Sequence, residues 1–393
     1  MLKRNSSSQV DAWRTTSARV SVANPPTDSC SPPRQRPTPS TRAMLDTPTK
    51  LRVLVVGAGY VAQHLIAHLK DDFEVAYSHR RRTAPFQIPN VKSVYLDLED
   101  DDSIATTLHE TLPDVVVNCA AISSPAKCEQ DEALAMRCNC PRNFLEALHA
   151  CVPDCLLIHF STDLVLPDAE KPCGDGGVGA KSALSCIANT PVPSNVYGRS
   201  KLAFEKALVE GWDRCVIFRM SNVAGPLAPY DQSGKFAQWV STQLRDKGTV
   251  ELWRDEVRSF VAMRQVRDGV RAAIQKYGVR HEPADDHEAR ALEAAALSPS
   301  ETARFHNRAR ALRPPVFLHL NLGGPMALSR VQFGRAVASA AALDADLVRG
   351  ALRPAGTAPL SVALDSSSFV EALGVPLVPL DLALREAFAS TTT

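Results

Sequence analysis

Leu51-Arg-Val-Leu-Val-Val56 runs without a break into Gly57-Ala-Gly-Tyr-Val-Ala62 and then Gln63-His-Leu-Ile-Ala-His-Leu69. The first six residues make a short apolar strand and the last seven open a helix. The join between them has the pattern G-x-G-x-x-A. A strand, a glycine turn and a helix start in that order form the context that a dinucleotide fingerprint requires. Gly57 and Gly59 permit a tight turn and let the backbone approach a pyrophosphate. Tyr60 and Val61 begin the helix whose N-terminus favours that negative charge. The stretch therefore predicts a doubly wound, Rossmann-type α/β sheet built around a cofactor.

The following segments keep the same alternation. Phe73-Glu-Val-Ala-Tyr77 reads as a second strand and ends in Ser78-His-Arg-Arg-Arg82. An NAD site usually places an acid there to hold the ribose 2′-hydroxyl, whereas arginine accommodates the 2′-phosphate of NADP. With no acid and three arginines, the chain favours NADP(H), and Arg80 and Arg81 are the candidates to hold the phosphate. Val94-Tyr-Leu-Asp97 is a third strand, with Asp97 placed to meet the adenine end. Asp114-Val-Val-Val-Asn118 is a fourth, followed by Cys119, Ala120 and Ala121, small enough for the backbone to pass close to the cofactor. A helix is expected over 129–150 and carries Asn139. Cys155-Leu-Leu-Ile-His-Phe160 is a fifth strand and ends in Ser161-Thr-Asp163. Arg214-Cys-Val-Ile-Phe-Arg219 is a sixth. Strands alternating with helices imply a parallel sheet whose ligand lies beyond the strand carboxyl ends. Gly57, Ala120, Thr162 and Tyr197 would gather there.

Before the sixth strand comes Asn195-Val-Tyr-Gly-Arg-Ser-Lys201, leading into Leu202-Ala-Phe-Glu-Lys-Ala-Leu-Val209. On a helix, Tyr197 and Lys201 are four apart and share one face. A phenol has a reference pKa of about 10. An ammonium one turn away favours the phenolate and brings that value toward a useful range. The pair suits proton transfer to or from a carbonyl or alcohol oxygen.

The rest of the chain bounds this reading. The 393 residues, 45% hydrophobic and 22% charged, suit a globular protein of one large domain or two. A net charge of +1 gives no argument for nucleic acid or an anionic membrane. No apolar run approaches the roughly 18 residues of a membrane span. Cys119, Cys155 and Cys215 sit in apolar runs as reduced thiols. Cys138-x-Cys140 and Cys151-x-x-x-Cys155 lack zinc spacing, so no metal is expected. Residues 1–50 hold eight Lys/Arg against Asp11, Asp28 and Asp46 and are rich in Ser, Thr and Pro. They are expected to be a disordered extension. A cytoplasmic protein is expected, or an organellar one if residues 1–43 act as a transit peptide. Residues 165–194, with Gly174-Asp-Gly-Gly-Val-Gly179, read as a flexible loop insertion, and 278–315 as a charged, Ala-rich surface insertion. A smaller carboxyl-terminal lobe is expected mainly from 226–389. In it Arg258 is a candidate to hold an anionic substrate group. Leu318–Leu322 is a strand there, Ser329 with Gln332 a capping box, and Asp365 the cap of a helix ending at Gly374.

In sequence order, the glycine turn, Val116-Val-Asn-Cys-Ala-Ala-Ile-Ser-Ser-Pro125, Ser161-Thr-Asp163, Asn195–Lys201 and Asn321-Leu-Gly-Gly-Pro-Met-Ala-Leu-Ser-Arg330 carry a resemblance. The chain resembles the extended short-chain dehydrogenase/reductases, and more narrowly their dTDP-4-dehydrorhamnose reductase branch. That branch includes the beta regulatory subunit of methionine adenosyltransferase. The resemblance covers 51–389 apart from the two insertions and implies an NADPH-dependent reductase of a nucleotide-linked 4-keto sugar. It implies Thr162, Tyr197 and Lys201 as catalytic, with Tyr197 and Lys201 also on the cofactor, and Asn139 as support for the active-site helix. Ser161 and Asp163 join Arg258 as candidates facing substrate, and Ser161 is the alternative hydroxyl to Thr162. The partner implied is a sugar-nucleotide-like substrate or, for a regulatory chain without turnover, a methionine adenosyltransferase catalytic subunit. Homodimerisation is open. Two departures stand out. The family turn is usually G-x-x-G-x-x-G, here one residue shorter and ending in Ala62. The family's Tyr-Val-Phe-Asp-Gly after Ser-Thr-Asp is here Leu164-Val-Leu-Pro-Asp168, so the aromatics that shape the sugar site are replaced. Leu164 also stands where related dehydratases carry an acid.

Overall fold

The apolar run at the first strand is continuous rather than alternating because both of its faces are covered. The computed structural model describes residues 50–169, 171–280, 314–354 and 360–389. The expected extension over 1–49 and the bulk of the 278–315 insertion lie outside the described residues. In chain order the first half is β1 (Arg52–Val56), α1 (Tyr60–Leu69), β2 (Glu74–His79), β3 (Lys92–Tyr95), α2 (Asp101–Thr111) and β4 (Val115–Asn118). Next come α3 (Pro125–Gln130), α4 (Glu132–Asn139), α5 (Arg142–Cys151) and β5 (Leu156–Thr162). They are followed by β6 (Gly177–Val178), α6 (Ala180–Ala188), α7 (Val196–Gly211), β7 (Arg214–Met220) and β8 (Val223–Ala224). The remainder is α8 (Phe236–Lys247), β9 (Val250–Trp253), β10 (Val257–Arg258), β11 (Val261–Ala262), α9 (Met263–Tyr277), β12 (Val316–Leu322) and β13 (Leu328–Ser329). It closes with α10 (Arg330–Ala340), β14 (Val348–Ala351), β15 (Ser361–Val362), α11 (Ser367–Leu373) and α12 (Leu380–Phe388).

Eight strands form one sheet in the order β3-β2-β1-β4-β5-β7-β12-β6. Every pairing in it is parallel except the antiparallel edge between β12 and β6. The winding reverses between β1 and β4, which opens a crevice beyond their carboxyl ends. Val53 and Val55 pack with Leu65 and Ile66 of α1, Val266 and Val270 of α9 and Phe369 of α11. Their neighbours Leu54 and Val56 point the other way, onto Ile104 of α2, Phe144 of α5 and Phe204 of α7. A separate core joins α8, α10 and α12 around β9 and β14, with Phe260 and Phe333 stacked at 3.7 Å. This second core draws its buried residues from Ala224 through Leu384.

Several sequence expectations change here. The helix expected over 129–150 is broken into α4 and α5. Asp131 caps α4 by accepting from the Leu134 amide at 2.8 Å, and Pro141, lacking an N–H, cannot continue it. The segment 165–194 is not a loose loop. Its β6 adds an eighth strand to the sheet, and the Gly179 amide donates to the Phe317 carbonyl at 2.7 Å. The Asp175 carboxylate accepts from the Asn321 amide at 2.8 Å. A two-residue strand leaves no periodicity in the sequence to detect it by. The strand at Leu318–Leu322, assigned to the smaller lobe, is β12 of the main sheet, paired along seven residues with β7. At the caps, the Ser329 hydroxyl accepts from the Gln332 amide and the Gln332 side chain accepts from the Ser329 amide. Gly374 ends α11 in the left-handed region at φ 67°.

Candidate active site

The turn between β1 and α1 places backbone where a ligand can approach. Gly57 has φ 105°, and a Cβ there would stand 3.3 Å from the Ala120 nitrogen. Gly59 caps α1 with no side-chain acceptor, and a Cβ on it would meet nothing within 4 Å. The helix N-terminus is therefore open toward the crevice, the arrangement that takes a pyrophosphate. Gly57→Val is expected to lower stability by about 1–3 kcal/mol, since both its φ and the Ala120 contact resist a side chain. Cofactor affinity should fall with it, measured by urea unfolding and by NADPH fluorescence titration. Across the crevice the Asn118 side chain accepts from the Ala120 amide at 3.1 Å, which fixes the course of Cys119–Ala121.

A cleft of about 420 Å³ opens here. Gly59, Tyr60, Val61, Cys119 and Ala121 line its β1/β4 side, and Ser161, Thr162, Asp163, Tyr197 and Lys201 line the β5/α7 side. Tyr197 and Lys201 thus share one face of α7, as spacing requires. The Asn195 side chain caps that helix by accepting from the Gly198 amide at 2.7 Å. Gly198 is needed for contact, since a Cβ would overlap the Leu164 carbonyl. Asn139 accepts from the Ile122 amide at 2.8 Å and donates to the Ser200 hydroxyl at 3.0 Å. It ties the segment after β4 to the helix that carries Tyr197.

The electrostatics differ from the simple pair. Burial pulls the Lys201 ammonium down to about 8, opposed first by the Glu205 carboxylate. Its Nζ lies 3.5 Å from Nε2 of His159, which burial keeps neutral. The Tyr197 phenol is raised above its usual value by burial and then by Asp163, with the Thr162 hydroxyl acting against them. The expected lowering of the tyrosine is not the net result here, because burial and Asp163 outweigh what opposes them. A raised phenol stays protonated at neutral pH, the form that donates. Burial also pushes the Cys119 thiol up to about 12, leaving it a poor nucleophile.

Three further candidates sit differently from expectation. The Ser161 hydroxyl is directed at Glu205, to which it donates at 2.5 Å, so Thr162 is the hydroxyl beside Tyr197. Asp163 accepts from Ser221 at 2.8 Å and pairs with Arg258 at 3.6 Å, and burial raises its pKa. Arg258 is not in the cleft lining. It is 1% exposed, pairs also with Glu256 at 3.5 Å and donates to the Val257 carbonyl at 2.8 Å. The starts of α8 and α10 instead present Lys235, Phe236 and Arg330 to the cleft. Arg330 pairs with Glu256 at 2.6 Å and lies 4.8 Å over the Phe236 ring. Arg330 follows the capping serine directly and ends the Asn321–Arg330 stretch that carries the family resemblance. Arg80 and Arg81 are exposed at the end of β2, outside this part of the cleft; Arg80 lies 4.0 Å from Glu99. Asp97 follows β3, and its carboxylate accepts from the Glu99 amide at 3.1 Å.

The family model named RmlD substrate binding domain matches residues 51–288. The chain belongs to the RmlD substrate-binding domain family. Among relatives, RmlD-family similarity is modest and partial. The dTDP-4-dehydrorhamnose reductase of Escherichia coli K12 is 33% identical over 149 residues, 38% of this chain and 44% of that protein. Methionine adenosyltransferase 2 subunit beta of Danio rerio is 26% identical over 190 residues, 46% of this chain and 51% of the relative. The chain thus spans about half the length of the relatives it matches. In three dimensions the likeness of fold extends further. The Bacillus anthracis dTDP-4-dehydrorhamnose reductase, solved in complex with NADP, superposes with TM-score 0.61 at 16% identity, covering 88% of this chain and all of that one. Among the described residues no cluster of three or more His, Cys, Asp or Glu side chains could hold a metal, and no helix is long and apolar enough to cross a membrane. No disulfide is found among the described residues.

Proposed function

We propose that the chain is an NADPH-dependent reductase of a nucleotide-linked 4-keto sugar. The observation that carries this reading is one cleft bordered by Gly59, Thr162, Tyr197 and Lys201. The cofactor fits the residues present, because the open N-terminus of α1 and the space at Gly59 suit a pyrophosphate. Arg80 and Arg81 would hold the 2′-phosphate, and Lys201 the nicotinamide ribose. NADPH, when bound, supplies the hydride to the sugar ketone. Tyr197 donates a proton to the oxygen that becomes an alkoxide. Thr162 hydrogen-bonds the same oxygen and orients it. The positive charge of Lys201 stabilises the phenolate left behind. Asp163, held by Ser221 and Arg258, accepts from the Thr162 hydroxyl, which in turn accepts from the Leu164 amide. Arg330 and Lys235 offer positive charge to an anionic part of the substrate.

The 2′-phosphate assignment has its own test. Replacing Arg80 and Arg81 together by alanine is expected to lower the NADPH/NADH affinity ratio by at least tenfold, read by fluorescence titration of both cofactors. An unchanged ratio would mean that the arginines do not touch the phosphate.

A second reading is a regulatory chain that binds NADP and docks on a methionine adenosyltransferase. The similarity to the beta subunits and the replacement of the aromatics after Asp163 favour it. Steady oxidation of NADPH by a dTDP-linked 4-keto-6-deoxy sugar supports the reductase. Absent turnover, with a stable complex on a methionine adenosyltransferase catalytic subunit, supports the regulatory role.

A further inference from the structure

The buried side of α7 brings its lysine against a ring of the neighbouring strand. Lys201 is 2% exposed, and its Nζ lies 3.5 Å from Nε2 of His159 on β5. His159 is inaccessible to solvent, and Phe204 of α7 stands edge-to-face against its ring at 4.8 Å. Among the described residues no carboxylate pairs with this ammonium. Glu205, one turn further along α7, is committed to Arg219 at 2.6 Å and to the Ser161 hydroxyl. An ammonium has donors and no acceptor, so the ring nitrogen that faces it must present a lone pair. Nε2 is then bare and the ring proton sits on Nδ1, which is buried with no hydrogen-bond partner among the described residues. Burial holds the His159 pKa well below its usual value, in keeping with a neutral ring.

We propose that His159 is a positioning residue whose neutral ring accepts a hydrogen bond from the Lys201 ammonium at Nε2 and holds that cation beside the cleft without neutralising it. A carboxylate in this place would cancel the charge of the lysine. A neutral acceptor satisfies one donor and leaves a full positive charge for the phenolate of Tyr197 and for ligand oxygens in the cleft that Lys201 lines. The same strand carries Thr162 three residues further on, so β5 supplies both the acceptor for Lys201 and the hydroxyl beside Tyr197. The consequence for catalysis rests on the reductase reading; the hydrogen bond does not.

The test reads the ring and the amine directly. In the full chain labelled with 15N in histidine, long-range 1H–15N spectra tell a protonated ring nitrogen from a bare one. The His159 ring, assigned by its loss in His159→Gln, is expected to carry its proton on Nδ1, and a proton on Nε2 overturns the proposal. This tautomer is read in the parent, so it decides even where another variant fails to fold. With 13C at lysine Cε, a titration follows Lys201, assigned by its loss in Lys201→Met. His159→Leu removes the acceptor and leaves Glu205, Cys119, Cys128 and Cys140, the other groups that act on Lys201. Its Lys201 midpoint is expected to fall by about one pH unit or more, a tenfold loss of ammonium relative to free amine. His159→Gln keeps an acceptor oxygen and should restore most of that shift. A midpoint unmoved by leucine, or moved as far by glutamine, overturns the proposal. On the reductase reading His159→Leu should also slow NADPH oxidation at least tenfold, and an unslowed rate overturns the positioning role. The Nδ1 tautomer in a chain that never oxidises NADPH keeps the hydrogen bond and removes the reductase reading.

Discussion

Tyr197→Phe is expected to lower kcat by about 10²–10⁴-fold, the usual worth of a positioned general acid. NADPH affinity should stay within a few-fold of the parent, because phenylalanine keeps the ring packed on Cys128 and Val196. Reduction of a ketone puts negative charge on its oxygen, and the transition state needs a proton there. The phenol of Tyr197 is held protonated by burial and by Asp163, so at neutral pH it is present as a donor. Thr162 remains in the variant and still hydrogen-bonds the oxygen, so the residual rate should not be zero. The same raised phenol makes the reverse oxidation weak at neutral pH and stronger as pH rises. A pH series in both directions therefore separates the donor role from a role in packing. Equal losses in both directions at every pH would assign Tyr197 to packing alone.

Arg219→Met is expected to destabilise the fold by about 3–5 kcal/mol, because it strands a buried carboxylate. Both partners of this pair are inaccessible to solvent, so no screening discount applies. The sign of the pH dependence follows from Glu205. Its folded pKa is depressed, chiefly by Arg219, so the pair's contribution is present above the unfolded carboxylate value of about 4.3 and is lost as pH falls through the folded one. The gap between parent and variant should thus be full at pH 7 and narrow in acid. Urea unfolding at several pH values measures it. Adding Glu205→Gln to Arg219→Met should restore most of the loss, since paired removal leaves no orphan charge. A double variant as unstable as the single one would show that volume, not charge, sets the cost.

What could be read in the sequence was local. The strand, the turn at Gly57 and the start of α1 are contiguous, so the sheet that follows from them was legible. Tyr197 and Lys201 lie on one helix face by spacing alone. Glu205 lies on that face too, but its meaning depends on Arg219 and His319, which come from strands far along the chain. The net rise of the Tyr197 phenol was hidden for the same reason: burial and Asp163, which belongs to another element, set it. Arg258 was singled out by charge in a polar cluster. The fold instead gives it to Asp163 and Glu256 and puts Arg330 at the cleft. The strand β6 was invisible because two residues carry no pattern, and only the pairing with β12 defines it.

A reductase site here must reduce a nucleotide-linked ketone in this cleft. Its most direct measurement is the consumption of NADPH by the full chain with a dTDP-linked 4-keto-6-deoxy sugar, with the sugar product analysed in parallel. Steady turnover is expected, with one 4-hydroxy sugar formed for each NADPH consumed. A chain saturated with NADPH that leaves the keto sugar unreduced would contradict it.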